Sequence, residues 1–506
     1  MNENITEENN KDLASHTFKE ELLQRLREGY EEDLAKEEPI PRCDHCKWLT
    51  TCERPQCHEE GRLFQHCTSY QPLFDEKTTH EDLAFWIMDR YIFKTMIDTH
   101  EIYVYQNGVY LPKAEELIMK EVKRAKNSCS KNFVNEVLFD IQVKTFKERD
   151  FFDKDPSLIT LENGILDLEH MALHCFQPYS LPSLVKLPIE YNAEAQCPTI
   201  DKFLNEIVAQ EDVETLYEIA GYLLLKSYFI HKAFMLIGET HSGKSTYINL
   251  LKAFIGKANV SQQSLQDLLE NRFSRAELFG KLMNCYADIP NKALKETGLF
   301  KILTGEDRLS AERKHRDPFN FDNYAKLIFS CNTMPKTYDK TDAFYIRWIL
   351  LNFPNRFDDK NPKTDKKLLD KLTTKEELSG FLNKVISKAK ILLEQEHFSN
   401  NPDVEAIREY YEKLSNPIYA FILDNCIFDG KSNILCDEFY QKLMLYCEER
   451  KLSKPTLTYL TQELKRQRIE KTRLAEGKKP YAYHGLRWKT EEEQAEELTL
   501  DNYNNE

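Results

Sequence analysis

Ala233-Phe-Met-Leu-Ile-Gly238-Glu-Thr-His-Ser-Gly243-Lys244-Ser245-Thr246, running on into Tyr247-Ile-Asn-Leu-Leu-Lys-Ala-Phe254, decides how the rest of this chain reads. An apolar strand, a loop bounded by glycines and an amphipathic helix follow one another without a break. The loop has the G-x-x-x-x-G-K-[ST] spacing of a phosphate loop, in the context that such a loop needs. Its glycines let backbone N–H groups curl around phosphate oxygens, and the helix that follows points its positive end at them. Gly238, Glu239, Thr240, His241, Ser242, Gly243, Lys244, Ser245 and Thr246 are therefore the candidate nucleotide-binding residues. Lys244 is suited to charge the β- and γ-phosphates and the Ser245 hydroxyl to hold magnesium, so a nucleoside triphosphate with Mg2+ is the expected ligand.

A phosphate loop alone fits a kinase, a transporter ATPase, a GTPase or a motor, and the downstream residues discriminate. Lys281–Asp288 reads as a second apolar strand ending in an acid, where a Mg2+-linked carboxylate or a water-activating base belongs. Lys326–Asn332 reads as a third strand ending in an amide that could orient a water near a γ-phosphate. Arg347 follows fifteen residues later in Phe344-Tyr-Ile-Arg-Trp348, and an arginine there could stabilise transition-state charge at a neighbouring subunit's nucleotide. Short strands alternating with helices over Lys232–Phe357 give an α/β core.

Between the second and third strands lies Phe300-Lys-Ile-Leu-Thr-Gly-Glu-Asp-Arg-Leu-Ser-Ala-Glu-Arg-Lys-His-Arg-Asp-Pro-Phe-Asn-Phe321. This run resembles the hairpin-bearing motif of superfamily 3 helicases. Together with the phosphate loop, the acid-ended strand and the amide-ended strand, it makes the region resemble that superfamily's compact ATPase. The block from Asn163-Gly-Ile-Leu-Asp-Leu168 through the loop, and the C-terminal part with Leu435-Cys-Asp-Glu-Phe-Tyr-Gln-Lys-Leu443 and Tyr483-His-Gly-Leu-Arg-Trp488, are similar to phage, plasmid and large-virus primase-helicases. The resemblance implies an AAA+-like core in which Lys244 and Ser245 bind triphosphate and Mg2+. Asp288 would hold the metal or its water, Asn332 would sense the γ-phosphate, and Arg347 would act across a subunit boundary. It further implies a homohexameric ring on single-stranded or forked DNA, 3′ to 5′ movement, and Lys314 and His315 at a DNA-gripping hairpin tip. Lys301 would face the neighbour's nucleotide.

The chain also departs from the pattern. Many relatives end the second strand with two acids, whereas Ala287 precedes a single Asp288 here, which leaves open metal ligand, base or both, with Glu306 and Asp307 as possible helpers. Ser242 stands where relatives often carry Asn. Residues 1–75 offer no room for a polymerising primase domain, so a priming activity is not expected of this chain and a separate primase or initiator is an expected partner.

Five of the 13 cysteines fall within residues 43–67: Cys43, Cys46, Cys52, Cys57 and Cys67. Four of them, with His45, His58 or His66 as alternatives, would complete a tetrahedral zinc site, and an iron–sulfur cluster is the rival. The other eight read as ordinary buried thiols. In the C-terminal part, helices over Asp437–Lys451 and Thr456–Gln467 and strands near Ile469–Ala475 and Tyr481–Trp488 suggest a winged helix. Its DNA contacts would come from Lys465, Arg466 and Arg468 on the helix and Lys478 and Lys479 in the wing, with Tyr481 and Tyr483 read as packing. The net charge of −15 is carried by two acidic ends, with 12 acids against 5 bases in residues 1–40 and 7 acids without a base in residues 490–506. Residues 450–489 instead hold 12 bases and 3 acids, a candidate for phosphate contacts or a solvated basic face.

The fold class expected is thus multidomain α/β. An acidic helix and tail (1–40), a cysteine knuckle (41–75), an α+β region (78–195) and a helical collar (196–231) precede the ATPase core (232–358). A helical segment (364–400), the winged helix (403–489) and an acidic tail (490–506) follow. Helices are expected over Phe18–Glu38, Glu81–Thr99, Asp201–Ile230 and Lys366–Glu396. Hairpins are expected at Ile102–Leu111, turning at Asn107-Gly108, and at Leu158–Leu168. No apolar run approaches the length of a membrane span, the first residues are acidic and polar, and an intracellular, cytoplasmic protein without membrane partners is expected. The expected function is a replicative ATP-dependent DNA helicase of a phage, plasmid or virus-like element. The alternative is an ATP-regulated initiator that binds DNA with little unwinding. A phosphate-loop kinase of small molecules leaves Arg347 and the Lys314-His315 turn without a role.

Overall fold

The computed structural model describes residues 74, 77–177, 181–287, 289, 293–294, 297–314, 316–332, 334–357, 365–450, 454–473, 480–490 and 492–493. They form a mixed α/β, multidomain chain that divides into two compact units. The smaller unit takes the described residues up to Ile92 together with Leu117–Asp140 and Gln177. Its helix His80–Arg90 starts in a capping box, with Thr79 accepting from the Asp82 N–H while the Asp82 carboxylate accepts from the Thr79 N–H. Two of the donors that the helix start leaves unpaired are thereby satisfied. The helix is shorter than the Glu81–Thr99 expected from sequence. Phe93–Met96 leaves it for a strand that pairs antiparallel with Ile102–Gln106, so non-local pairing overrides the helical spacing of this apolar run.

The larger unit holds everything else. At its start, Val109–Leu111, Ile102–Gln106, Phe93–Met96 and Phe146–Lys147 form a four-stranded sheet. Its tight turn uses Asn107 (φ 47°) and Gly108 (φ 95°), both in the left-handed region that a primed turn requires. A three-stranded meander follows over Leu158–Leu161, Gly164–Asp167 and Ala172–His174. Here the turn is Glu162-Asn163, and Gly164 already belongs to the strand. A Cβ on Gly164 would lie 2.5 Å from the His174 carbonyl of the third strand. The expected helices over Asp201–Ile230 are two, Pro198–Ile207 and Gln210–Leu224. Lys375–Gln395 packs on the second of them, close enough that a Cβ on Gly221 would meet the Ala389 nitrogen at 2.9 Å. The expected Lys366–Glu396 helix is broken at Thr373, with Leu368–Leu372 before it and Thr374 capping the longer part.

The centre of this unit is a parallel sheet of five strands: β1 (Ala233–Ile237), β2 (Val260–Ser261), β3 (Met283–Tyr286), β4 (Lys326–Cys331) and β5 (Trp348–Asn352). Their order is β5-β1-β4-β3-β2, every pair is parallel, and β1 is followed at once by helix α1 (Lys244–Ile255). Both faces of the sheet are covered, as parallel sheets require. Phe234, Leu236, Ile328, Ile349 and Leu351 enter one core with the helices described above. Ala233, Met235, Ile237, Leu327, Phe329 and Trp348 enter a second core. At roughly 1.5–3 kcal/mol for each fully buried large apolar side chain, this two-sided burial is what holds the strands in register. Trp348 stacks on Phe300 at 4.7 Å, and Ile407 and Tyr411 of the helix Val404–Ser415 join the same core.

A third core belongs to the C-terminal elements from Ile418 onward. The helix Pro417–Asn425 leads into the strand Cys426–Leu435, the helices Cys436–Glu449 and Leu457–Arg466, and the strands Glu470–Arg473 and Tyr481–Trp488. Tyr481–Trp488 is the central strand of three. Its pairing with Cys426–Leu435, a strand absent from the sequence expectation, runs from Leu435 opposite Ala482 to Cys426 opposite Trp488, residues about 50 to 60 positions apart. No helix among the described residues is long and apolar enough to cross a membrane.

Candidate functional site

The loop between β1 and α1 takes its shape from backbone constraints. Gly243 sits at φ 96°, and a Cβ there would come within 2.7 Å of the Ile207 side chain. A Cβ on Gly238 would meet the Phe353 carbonyl at 2.6 Å. Both positions therefore need glycine, one for its backbone angle and one for close approach. His241 is also left-handed, at φ 66°, and its carbonyl accepts from the Phe357 N–H at 2.9 Å. The segment after β5 thus braces the loop from outside, helped by Arg356, whose guanidinium is 3.6 Å from the Glu239 carboxylate.

Lys244 is buried at the first position of α1. Its Nζ donates to the carbonyls of Gly238 and Glu239, both at 2.7 Å, and to Ser242 Oγ at 3.1 Å. The loop's own carbonyls and the Ser242 hydroxyl thus hold the ammonium against the loop. Ser245 is exposed in the same first turn. Because Ile237 pairs with Cys331, the residue after β4 falls beside the loop, and Asn332 Oδ1 lies 3.5 Å from Lys244 Nζ. A phosphate-binding cation and a neutral amide are thus brought together from positions 88 residues apart. β3 runs parallel to β4 with Tyr286 opposite Phe329, so its end is on the same side of the sheet. Asp288 lies outside the described residues.

Arg347 is at the other end. It immediately precedes β5, and its carbonyl accepts from the Ala233 N–H at 2.7 Å, at the start of β1 rather than after it. At about 3.3 Å per residue, the five residues of β1 put it roughly 16 Å from its own phosphate loop. One guanidinium nitrogen donates to the Ala343 carbonyl at 2.5 Å, and Nε is buried without a hydrogen-bond partner among the described residues. Burial pushes the guanidinium below its usual value, with the Asp307 charge acting in the other direction. Asp307 therefore acts at the Arg347 end of the sheet, away from Lys244. Glu306 is exposed beside it. Lys232, just ahead of β1, donates to the Ile346 carbonyl at 2.7 Å, and burial lowers it to about 8. Sequence reasoning passed over Lys232, since nothing in the pattern shows that it supports the Arg347 turn from 114 residues away.

Lys301 is ion-paired with Asp339 at 2.9 Å. Burial would raise the Asp339 carboxyl, but bonds from Thr297, Thr341 and Lys301 hold it well below the usual carboxylate range. The hairpin between β3 and β4 consists of Arg308–Ala311 and Phe319–Asp322, paired antiparallel. At its tip Lys314 is exposed, while His315 lies outside the described residues. Arg313 faces inward to Glu101 at 2.5 Å. Below the tip, Phe319 is covered by the Arg149 guanidinium at 4.1 Å, which also lies 4.5 Å from Phe279 and bonds Asp98 at 2.5 Å.

In the C-terminal part, Lys465, Arg466 and Arg468 are exposed, and Arg466 is 3.8 Å from Glu463. Lys478 and Lys479 lie outside the described residues. The two tyrosines divide: Tyr483 is buried against Phe439, as packing would have it, whereas Tyr481 is 50% exposed between Lys471 and Arg473. Tyr481 is therefore a surface aromatic and not a core residue, because it sits past the end of the third core. Cys43, Cys46, Cys52, Cys57 and Cys67 lie outside the described residues. Of the other eight cysteines, Cys175 is exposed and Cys436 half-buried, which corrects the expectation that all are buried. Among the described residues no cluster of three or more His, Cys, Asp or Glu is arranged to hold a metal ion.

Comparison with known proteins gives two family matches. Residues 62–209 match a family described as D5 N terminal like, and residues 236–347, which hold the loop, the hairpin and Arg347, match a family of unknown function, DUF5906. Over 253 residues the chain is 27% identical to L207/L206 of Acanthamoeba polyphaga mimivirus, a protein that carries a provisional helicase name. That alignment covers 47% of this chain and 26% of the viral protein, so the chain spans about a quarter of the curated relative's length. Among solved structures, the A form of the apo C-terminal region of NrS-1 aligns over 81% of this chain and 99% of that one, with 14% identity and a TM-score of 0.44. A second apo structure of that region aligns over 81% and 100%, with 14% identity and a TM-score of 0.43.

Proposed function

We propose that the chain, which resembles phage and virus primase-helicases over residues 62–209 and in its match to a viral relative, is an ATP-dependent DNA helicase of superfamily 3 with an AAA+-like core. The observation that carries this reading is the meeting of Lys244 and Asn332 at 3.5 Å, a cation at the start of the helix after β1 and an amide just after β4, the strand parallel and adjacent to β1. The strand order β5-β1-β4-β3-β2 supports the AAA+-like assignment. In this reading Gly238–Thr246 cradle the triphosphate, Lys244 neutralises its β- and γ-oxygens, and Ser245 with Asp288 holds Mg2+. The exposed Ser245 hydroxyl in the first turn of α1 is chemically suited to that ion, and Asp288 follows β3 in the sequence. Bound Mg2+ would supply charge neutralisation between the phosphates.

The position of Arg347 away from its own loop supports a site completed by a second copy, and hence the homohexameric ring on single-stranded DNA. Lys314 and His315 at the hairpin tip would grip the strand. The order helix, strand, helix, helix, strand, strand after Asn416 supports a winged helix whose Lys465, Arg466, Arg468, Lys478 and Lys479 contact phosphate. The knuckle of Cys43, Cys46, Cys52, Cys57 and Cys67 would hold zinc or an iron–sulfur cluster, and a separate primase or initiator would load or follow the ring. The test is ATP hydrolysis by the full chain with and without single-stranded DNA, alongside Lys244→Ala. Hydrolysis that DNA stimulates and Lys244→Ala abolishes is the expected result. Hydrolysis indifferent to DNA would sink the motor reading.

A further inference from the structure

Beside the phosphate loop, the β5 edge of the sheet opens into a cavity of about 420 Å3. Ala209 and Asp212 at the start of Gln210–Leu224, Asn352 and Pro354 at the end of β5, and Asn400 and Tyr410 from the C-terminal side contribute to its walls. Three links join it to the loop. Asn352 pairs with Ile237, the residue before Gly238. Asn355 donates to the Glu206 carbonyl at 2.8 Å. Ile207 is the side chain that closes on Gly243. The stretches 206–209 and 352–355 therefore border the loop on one side and the cavity on the other.

The cavity's polarity is opposite to that of the loop. None of its lining residues is a lysine, arginine or histidine. Its polar corner is the Asp212 carboxylate, with one oxygen taken by the Asn400 amide at 2.7 Å. Burial holds the Asp212 carboxyl above its usual range, with the Asn400 bond acting against that and the Glu211 charge adding to it. The Tyr410 hydroxyl is raised by its own burial and then by the Asp212 charge. Such a corner repels phosphate and accepts N–H donors, while Ala209, Ile349, Leu350 and Pro354 supply apolar contact for a flat ring. An ordinary role exists for Asp212, since an acid in a helix's first turn is favourable there. That role does not require the Asn400 amide to reach across 188 residues, nor a cavity beside the pair.

We propose that Asp212 and Asn400 read the base of the bound nucleotide, and that this base is adenine, with its 6-amino group donated to Asp212. The inference rests on reading the adjacent loop as a triphosphate site. Adenine presents a donor and an acceptor side by side, matching the carboxylate and the Tyr410 hydroxyl. Guanine held in the same orientation would set its 6-carbonyl oxygen against the carboxylate, and competition by GTP reads whether it binds by its N1–H and 2-amino donors instead.

The test uses the full chain and competition binding with ATP, GTP, the triphosphate of 6-unsubstituted purine riboside, and inorganic tripolyphosphate. Wild type should bind ATP roughly ten-fold or more tightly than the analogue that lacks only the amino group, the scale of one hydrogen bond to a charged acceptor. In Asp212→Ala that gap should close while tripolyphosphate binding stays unchanged, and Asn400→Ala should narrow it. Equal wild-type affinity for ATP and the analogue, or a gap that survives in both variants, overturns the proposal and leaves the loop reading intact. Failure of wild type to bind any of these compounds, tripolyphosphate included, would instead remove the triphosphate reading on which it stands.

Discussion

Arg347 should rescue a neighbour's site and not its own. It enters β5 opposite Ala233, whereas the loop starts only after Ile237, and about 16 Å of strand separates them at about 3.3 Å per residue. That is more than an arginine side chain spans, and one of its guanidinium nitrogens is already directed back to the Ala343 carbonyl. Arg347→Ala alone should slow hydrolysis on the order of a thousand-fold, the lower range for a residue that stabilises transferring phosphate. Lys244→Ala alone should abolish binding at the loop. Equal mixing of the two variants in a ring makes about one interface in four intact, with wild-type Lys244 on one copy and wild-type Arg347 on the next. The mixture should therefore recover up to about a quarter of the wild-type rate, measured by phosphate release after the subunits have exchanged. A mixture no faster than the better parent would refute the shared-site argument. So would wild-type hydrolysis by Arg347→Ala itself.

Three further outcomes follow from single positions. Burial pushes Lys232 down to about 8, so between about pH 8 and 10.5 the unfolded chain binds a proton that the folded chain lacks. Stability contributed through this group rises with pH across that window, and its charge costs about 3 kcal/mol at neutral pH. Lys232→Met should be the more stable protein at pH 7 and lose that advantage by pH 10.5 in urea denaturation, and an advantage unchanged with pH would contradict this. Gly243→Ala should cost about 1–3 kcal/mol and weaken nucleotide binding, because φ is 96° and Ile207 blocks the new Cβ; unaltered melting and binding would count against the strain argument. Tyr483→Ala should destabilise the C-terminal core by about 3 kcal/mol, whereas Tyr481→Ala should leave melting nearly unchanged and weaken single-stranded DNA binding. Equal melting losses in the two would erase the distinction drawn from their burial.

What could be read in the sequence was what is local. Strand, loop and helix from Ala233 to Ile255 are contiguous, and the glycine demand at Gly238 and Gly243 is written in the spacing itself. The Asn107-Gly108 turn was legible for the same reason. What failed to show depends on partners far along the chain. β2 has two residues and exists only because β3 lies beside it. β5 reads as an apolar run until Ala233 and its neighbours pair with it. The buried ion pair of Lys226 and Asp153 at 2.7 Å joins residues 73 positions apart, and no periodicity announces it. Arg313 adjoins Lys314 in a run of cations in the sequence, but Glu101, just ahead of the strand Ile102–Gln106, claims it. Charge runs show how many cations are present and not which of them face water.

The two ends of the parallel sheet differ in a way that bears on the shared site. At the ends of β1 and β4 that face the loop, Lys244 and Asn332 meet. At the opposite ends, Lys232 precedes β1, Lys326 opens β4 and Arg347 precedes β5. All three are shifted downward by burial, and all three donate to main-chain carbonyls: Ile346 for Lys232, Leu225 and Tyr324 for Lys326, Ala343 for Arg347. A carbonyl satisfies a donor without stabilising its charge as a carboxylate would, so at this end burial disfavours the charged forms of Lys232 and Lys326. Such an arrangement costs stability, as the Lys232 case quantifies, and a fold selected for stability alone would favour apolar residues at these positions. A triphosphate brought up by a neighbouring copy would supply the missing negative charge. In the ring proposed above, nucleotide held at an interface would then favour the charged forms at this end of the sheet.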